Sequence, residues 1–235
     1  MHDLPLLKAT FRTCGQRLQQ TRNVGEGDGW DDLYVVVDYA AFALGRELPE
    51  LPCRAGCAGC CRSKALFQVT AREWELVRRV LDGWPEERRL ALATLVVARH
   101  ARDRVELERL TAAWEEAGIG ARIPVPDTLQ DACPLLGEDD MCTVYEARPL
   151  VCRAYGAFSV TIDERPRVMI CREYGPDFLQ VLHDADMPEL PLPVYERYVA
   201  RLGALQPPGP LRPMALWLLD WADRSLLAGG EGAEA

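Results

Sequence analysis

Four cysteines fall within residues 53–61, with two glycines between them. Thiolates bind zinc or iron in sets of four, and a Cys-x-x-Cys turn lets two sulfurs reach one ion from a tight loop. The spacing from Cys57 to Cys60 fits such a turn, and Gly59 can adopt backbone angles that other residues avoid. Cys60 and Cys61 are adjacent in sequence, so we expect their side chains to diverge. One of the two would then serve a second centre, act as a bridge, or stay outside the site.

A second group of cysteines lies between residues 133 and 171. Residues 137–140 have turn composition, so Cys133 and Cys142 are expected to face each other across a small hairpin. Another hairpin is predicted from 158 to 170. The eight candidate metal ligands are Cys53, Cys57, Cys60, Cys61, Cys133, Cys142, Cys152 and Cys171. Eight thiols would form two four-sulfur centres, or one cluster with accessory cysteines.

Arginine directly follows four of these eight cysteines, more often than the composition predicts. Guanidinium groups stabilise negatively charged thiolates and tune the potential of a cluster; the alternative is that these arginines point into water. Tyr145 and Arg148 would orient sulfurs, or else would pack in the core and cap the turn before Pro149. The candidates for contact with the ligands are Arg54, Arg62, Tyr145, Arg148, Arg153 and Arg172.

Composition limits the class of protein. With 235 residues, 49% hydrophobic and 27% charged, the chain can bury an ordinary core. A net charge of −9 without any basic run argues against a surface for nucleic acid or anionic lipid. No stretch of about 18 apolar residues and no signal-peptide pattern occurs, so we expect a cytoplasmic protein without a membrane segment. In a reducing cytoplasm, nine cysteines favour metal binding over disulfides.

The elements that must position the thiols are mostly helices. A helix over 4–22 is predicted, with Cys14 packed on its apolar face, followed by a helix over 33–44 that Asp31 or Asp32 caps and Gly45 ends. Two prolines then lead the chain, extended, into the cysteine loop.

After the loop, the pattern predicts a strand over 65–69 and a helix to about residue 81. That helix opens with a Thr70–Glu73 capping box and closes at Gly83. One long helix would run from 85 to about 117, and its His100 is expected on the surface or in the core and not in the site. Helices are also predicted over 176–185, 193–205 and 213–228.

The expected fold class is mainly α with small β-hairpins (α+β), with helices around a cysteine-rich metal centre where the two cysteine stretches meet. The predicted division is an N-terminal helical segment (1–52), a metal-binding core (53–175), C-terminal helices (176–228) and a flexible tail (229–235), in one globular unit.

The motif Cys53-x3-Cys57-x2-Cys60-Cys61, followed by Cys133-Pro134 and Cys142-x2-Tyr145-x2-Arg148-Pro149-x2-Cys152-Arg153, resembles the YkgJ-type family of zinc- or iron-chelating domains with a CxxCxxCC motif. The resemblance covers residues 53–171, and the first spacer here has three residues where the motif's name has two. It implies a metal-binding protein whose biochemical role is undefined. A relative, flagellin lysine-N-methylase, is thought to combine an iron–sulfur cluster with S-adenosylmethionine, which would be a cofactor here only if this protein were such an enzyme.

Several functions remain open. The protein could bind, store or transfer metal at an iron–sulfur cluster or zinc site without catalysis, or be a cluster-dependent methyltransferase or oxidoreductase. A structural zinc module is the simplest alternative. The spacing of Cys53, Cys57 and Cys60 matches radical S-adenosylmethionine enzymes, but the alternating strands and helices of their barrel are not predicted. Spacing does not separate zinc from iron; the adjacent pair and the surplus thiols favour iron–sulfur. No protein partner is indicated.

Overall fold

The computed structural model describes residues 3–54, 56–62, 66–117, 123, 125–129, 132–162, 164–171, 173–187, 192–207 and 209–231. The helices are α1 Leu4–Leu18, α2 Leu33–Glu47, α3 Gly59–Arg62, α4 Ala71–Asp82, α5 Glu86–His100, α6 Arg104–Ala117, α7 Leu150–Ala154, α8 Gly175–Asp184, α9 Tyr195–Ala204 and α10 Met214–Glu231. The strands are β1 Gln68–Thr70, β2 Ser159–Ile162, β3 Arg165–Val168 and β4 Leu211–Pro213. They form two antiparallel two-stranded sheets, β1 with β4 and β2 with β3. The predicted class, mainly α with small β elements, is confirmed.

The chain forms two compact units. The first contains Met1–Ser63, Asp139–Met141 and Leu150–Pro208, and the second contains Lys64–Glu138, Cys142–Pro149 and Gly209–Ala235. The four-part division that the sequence indicates stays a prediction.

In the first unit, α1 packs against α2. The apolar face of α1 is buried as predicted, including Cys14, whose pKa burial raises to about 11. Asp32 caps α2 by accepting from the Tyr34 N–H at 2.7 Å. Its carboxylate also accepts from the N–H groups of Gly25 and Gly27 at 3.0 and 2.9 Å, which fixes the glycine-rich loop before the helix.

The hairpin of the first unit pairs Ser159 with Val168 and Ile162 with Arg165. Its second strand begins two residues before the predicted start. Glu164 has a φ of 61° and reverses the chain at once, so Arg165 already belongs to the strand.

In the second unit, the predicted capping box opens α4. The Thr70 N–H donates to the Glu73 carboxylate at 3.0 Å, and the Glu73 N–H donates to the Thr70 hydroxyl at 3.3 Å. Gly83 caps the other end of the helix, also as predicted. Because these signals lie within one helix, they are readable from sequence alone.

The prediction of a single long helix from 85 to 117 is wrong, because a 3-10 turn, Ala101–Asp103, divides this stretch into α5 and α6. His100, just before the break, is buried. Arg104, just after it, donates to Asp220 at 2.7 Å and to Asp223 at 2.6 Å, both on α10. Contacts with a helix more than 100 residues away thus coincide with the interruption.

The last helix continues to Glu231, three residues beyond the predicted end. Its tryptophans are fixed by hydrogen bonds: Trp217 Nε1 donates to the Val69 carbonyl at 3.0 Å, and Trp221 Nε1 donates to Asp82 at 3.0 Å. Among the described residues, no helix is both long and apolar enough to cross a membrane.

Candidate metal centre

Six of the eight candidate ligands lie in the first unit. They are Cys53, Cys57, Cys60, Cys61, Cys152 and Cys171, whereas Cys133 and Cys142 lie in the second unit. All nine cysteines of the chain are thiols in this structure. The first unit therefore brings together sulfurs from three separate segments.

The cysteine loop is a turn followed by one turn of helix. The Cys57 N–H donates to the Arg54 carbonyl at 2.9 Å, and the Arg62 N–H donates to the Ala58 carbonyl at 2.9 Å. Ala58 is buried and anchors the loop, while Cys57 is half-buried. The loop therefore holds its thiols at the boundary between protein and solvent.

The adjacent cysteines of α3 do not diverge as expected. The sulfurs of Cys60 and Cys61 lie 4.0 Å apart. Two sulfurs on one tetrahedral zinc ion would be about 3.8 Å apart, given Zn–S bonds of about 2.3 Å. The pair therefore has a separation that one metal ion can bridge.

Gly59 brings the cysteine loop against Cys171. A Cβ at position 59 would lie 2.5 Å from the Tyr174 ring and 3.0 Å from the sulfur of Cys171. The expectation that Gly59 supplies an unusual backbone angle is wrong, since the loop glycine with positive φ (84°) is Gly56. Gly59 is needed for space: a side chain there would displace the Tyr174 ring and press on the sulfur of Cys171.

Gly156 brings the segment after α7 against Cys53. A Cβ at position 156 would lie 2.2 Å from the Cys53 Cβ and 2.4 Å from its sulfur. The residue has a φ of 80°, and its N–H donates to the Met169 carbonyl at 2.6 Å. Sequence reasoning missed Gly156, whose only signal is that it is a glycine three residues after the Cys152-Arg153 pair.

The thiols are close enough to raise one another's pKa. Burial, followed by the charges of Cys57, Cys171 and Cys60, raises the pKa of Cys53 to about 12. Burial first, and then Cys57 and Cys60, also raises the pKa of Cys171. The pKa of Cys60 is raised as well, first by its hydrogen bond with Cys61 and then by burial. Clustered thiolates that repel one another are an arrangement that a bound cation stabilises.

Tyr155 is a further residue of the site that sequence reasoning missed. Burial raises its pKa to about 12, with the charges of Cys60, Cys152 and Cys171 adding to the effect. Its phenol therefore lies near thiols from all three segments, including Cys152. Nothing in the spacing of the motif indicates this tyrosine, because its proximity depends on how α7 packs.

The chemistry of the donors fits zinc or iron. All six groups are thiols, which as thiolates are the ligands of four-cysteine zinc sites and of iron–sulfur clusters. In the part of the chain that the structure describes, no three cysteine, histidine or carboxylate side chains are arranged to hold one ion as they stand. Binding therefore requires the sulfurs to turn toward a common point, and each cysteine side chain can turn about its single χ1 angle.

The arginines beside the cysteines have varied surroundings. Arg54 is exposed, and Arg62 is exposed and pairs with Asp140. Arg153 is only 4% exposed, pairs with Asp38 of α2, and places its guanidinium 4.1 Å from the centre of the Tyr34 ring. These contacts tie α7 to α2, so Arg153 positions the helix that carries Cys152.

The other predicted contact residues lie in the second unit or outside the described residues. Arg148 stacks over the ring of Tyr145, 3.9 Å from its centre, within the second unit. Arg172 lies outside the described residues. That any of the six orients a sulfur stays a prediction.

The two cysteines of the second unit flank the predicted turn. The chain reverses as expected, but the bridge pairs Cys142 with Leu136 and not with Cys133. The Cys133 carbonyl instead accepts from the Leu136 N–H at 3.1 Å, at the start of the turn. Ligation by Cys133 and Cys142 stays a prediction.

Comparison with known proteins supports this chemistry. Residues 52–171 match the model of the CxxCxxCC family, described as a "Putative zinc- or iron-chelating domain". The match spans just over half of the chain, and the chain therefore belongs to this family. No curated protein and no solved structure matches the chain. Membership of a zinc- or iron-chelating family supports metal binding as the property of this chain.

Proposed function

We propose that the protein is a cytoplasmic metal-binding protein that holds a zinc ion or an iron–sulfur cluster through Cys53, Cys57, Cys60 and Cys171. The observation that carries this proposal is the pair of close glycine contacts in the first unit. Gly59 lies against Cys171 and Gly156 lies against Cys53. Together they leave no room for side chains between segments whose thiols must converge.

The other two thiols of the first unit supply additional sulfurs. Cys61 lies 4.0 Å from Cys60, sulfur to sulfur, and Cys152, like Cys60 and Cys171, is near enough to Tyr155 to raise the pKa of its phenol. Six thiols are more than one tetrahedral zinc ion needs, which favours an iron–sulfur cluster over a single zinc ion. Zinc would supply a closed structural or metal-handling site, and a cluster would supply electron transfer.

Two residues near the thiols, Tyr155 and Arg153, have different roles in this proposal. Tyr155 limits access of water to the sulfurs, and its hydroxyl can donate to a thiolate, as groups around metal ligands commonly do. The buried Arg153 holds α7 in place through Asp38. Nine cysteines in a reducing compartment such as the cytoplasm favour metal binding over disulfides.

Metal content tests the proposal directly. The full chain would be purified without oxygen and examined by ultraviolet–visible spectroscopy and by analysis for iron, zinc and acid-labile sulfide. Broad absorption near ~400 nm with iron and sulfide would establish a cluster. Colourless protein with stoichiometric zinc would establish the zinc form. Protein that takes up neither, even after reconstitution, would overturn the proposal.

Cysteine variants then test the assignment of ligands. Serine at position 53, 57, 60 or 171 is expected to lower metal content to well below half, because each removes one of four sulfurs. The matched control is Cys14→Ala, which removes a thiol buried in α1 away from the proposed ligands. Full metal content in the four variants, with loss in Cys133→Ser or Cys142→Ser, would show that the centre uses other sulfurs.

A further inference from the structure

The second unit contains a cavity of about 470 Å³, open to solvent on one side, between the end of α4, the start of α5 and the later turns of α10. This volume lies within the range of about 300–1,000 Å³ typical of small-molecule sites. The cavity contains none of the candidate metal ligands. It is therefore separate in composition from the proposed metal centre.

One arginine of the cavity forms ion pairs with acidic neighbours. Arg78 donates to Glu75 at 2.8 Å and also pairs with Asp82. The Asp82 carboxylate in addition accepts from Trp221 Nε1 at 3.0 Å. Arg78 and Asp82 are thus linked on one side of the cavity, and the hydrogen bond to Asp82 orients the Trp221 ring.

Two other arginines that line the cavity have no such partner. Among the described residues, no carboxylate lies within ion-pair distance of Arg89 or Arg224. The hydrogen bond recorded for Arg89 goes to the Asp82 backbone carbonyl at 3.5 Å, the long limit for such a bond. Most donors of these two guanidinium groups are therefore available to a ligand.

The remaining features of the cavity favour an anion with an apolar body. Its lining includes Leu90 and Trp221 as well as the two arginines. Two carboxylates also line the cavity: Asp82 pairs with Arg78, and Glu86 lies in the first turn of α5. The guanidinium groups of Arg89 and Arg224 attract negative charge.

We propose that this cavity is a binding site for a small organic oxyanion, a carboxylate or phosphate ester carrying an apolar or aromatic group. Arg89 and Arg224 bind the oxyanion, because guanidinium groups match the geometry of carboxylate and phosphate oxygens. The apolar group lies against Leu90 and Trp221. The site is independent of the metal centre and does not rest on the function proposed above.

Isothermal titration calorimetry on the full chain tests this site with four probes: phenyl phosphate, benzoate, inorganic phosphate and benzyl alcohol. We expect phenyl phosphate or benzoate to bind, inorganic phosphate to bind more weakly, and benzyl alcohol not to bind. Whichever of the first two binds more tightly identifies the preferred oxyanion. The proposal would be overturned if none of the three anions bound at concentrations of about 10 mM, or if benzyl alcohol bound as tightly as the anions.

Arginine variants locate the binding. Arg89→Met and Arg224→Met are each expected to weaken binding by about tenfold or more, because each removes charge-assisted hydrogen bonds. Arg224 is exposed, so its replacement is not expected to affect folding. The matched control is Arg165→Met, an exposed arginine of β3 in the first unit. Unchanged affinity in both cavity variants would refute the site, and unchanged metal content in all three would separate it from the metal centre.

Discussion

Replacement of Gly156 by alanine would place a methyl group inside the van der Waals envelope of Cys53. The added Cβ would lie 2.2 Å from the Cys53 Cβ and 2.4 Å from its sulfur, whereas carbon contacts are normally about 3.5–4.0 Å. The closest atom is next to the backbone of Cys53, so a change of rotamer cannot relieve the clash. One of the two segments must move by about 1 Å or more.

The cost has two parts. Alanine at a φ of 80° is in the left-handed region, which costs about 1–2 kcal/mol. Overpacking beside Cys53 adds about 1–3 kcal/mol. The sum of about 2–5 kcal/mol is a large share of the 5–15 kcal/mol that stabilises a typical protein. Displacement of Cys53 would also take one sulfur out of reach of the metal.

The assay is metal content together with thermal unfolding of the variant. We expect Gly156→Ala to lose most of its metal and to unfold at least about 4 °C below the wild-type protein. The matched control is Gly15→Ala in α1, where the added Cβ meets no atom within 4 Å and alanine stabilises a helix by about 0.5–1 kcal/mol. Wild-type metal content and unfolding temperature in Gly156→Ala would refute the close packing of this glycine on Cys53.

Two further predictions concern one residue in each unit. Gly59→Ala is expected to lower metal affinity, because the added Cβ would clash with the Tyr174 ring. In a metal titration, the double variant Gly59→Ala/Tyr174→Ala should recover part of the lost affinity. Equal loss of affinity in the double variant would contradict this cause. Burial alone would raise the pKa of Asp220, but the hydrogen bonds that it accepts from Arg104 and Arg212 at 2.7 and 2.8 Å, together with their charges, outweigh burial and lower this pKa below its usual value. The stabilisation by Asp220 is therefore present at neutral pH and is lost as the pH falls through the lowered pKa. Asp220→Asn should therefore cost about 1–2 kcal/mol in urea unfolding at pH 7 and less at pH 3, and an equal cost at both would contradict it.

Local signals account for what could be predicted about the fold. The Thr70–Glu73 capping box, the Gly83 cap and the burial of Cys14 each depend on residues within one helix, and all three are confirmed. The break after His100 carries no local signal in the sequence, and it coincides with contacts of Arg104 with a helix more than 100 residues away.

The candidate site shows the same division. The adjacent Cys60 and Cys61 were expected to diverge, but their sulfurs lie 4.0 Å apart, because adjacency in sequence does not fix the side-chain directions. Tyr155 and Gly156 carry no motif signal, since each matters only because it lies beside thiols from other segments.

The sequence by itself determined the kind of chemistry. Eight cysteines in two stretches, in a chain with a core of its own, predict sulfur ligands for zinc or iron, and the chain belongs to a family described as zinc- or iron-chelating. The tertiary structure alone decided which sulfurs share a unit, because a cysteine side chain reaches only a few ångströms and its neighbours come from distant segments. It also decided that Gly59 and Gly156 are needed for space, since only the packed chain shows what an added methyl group would meet.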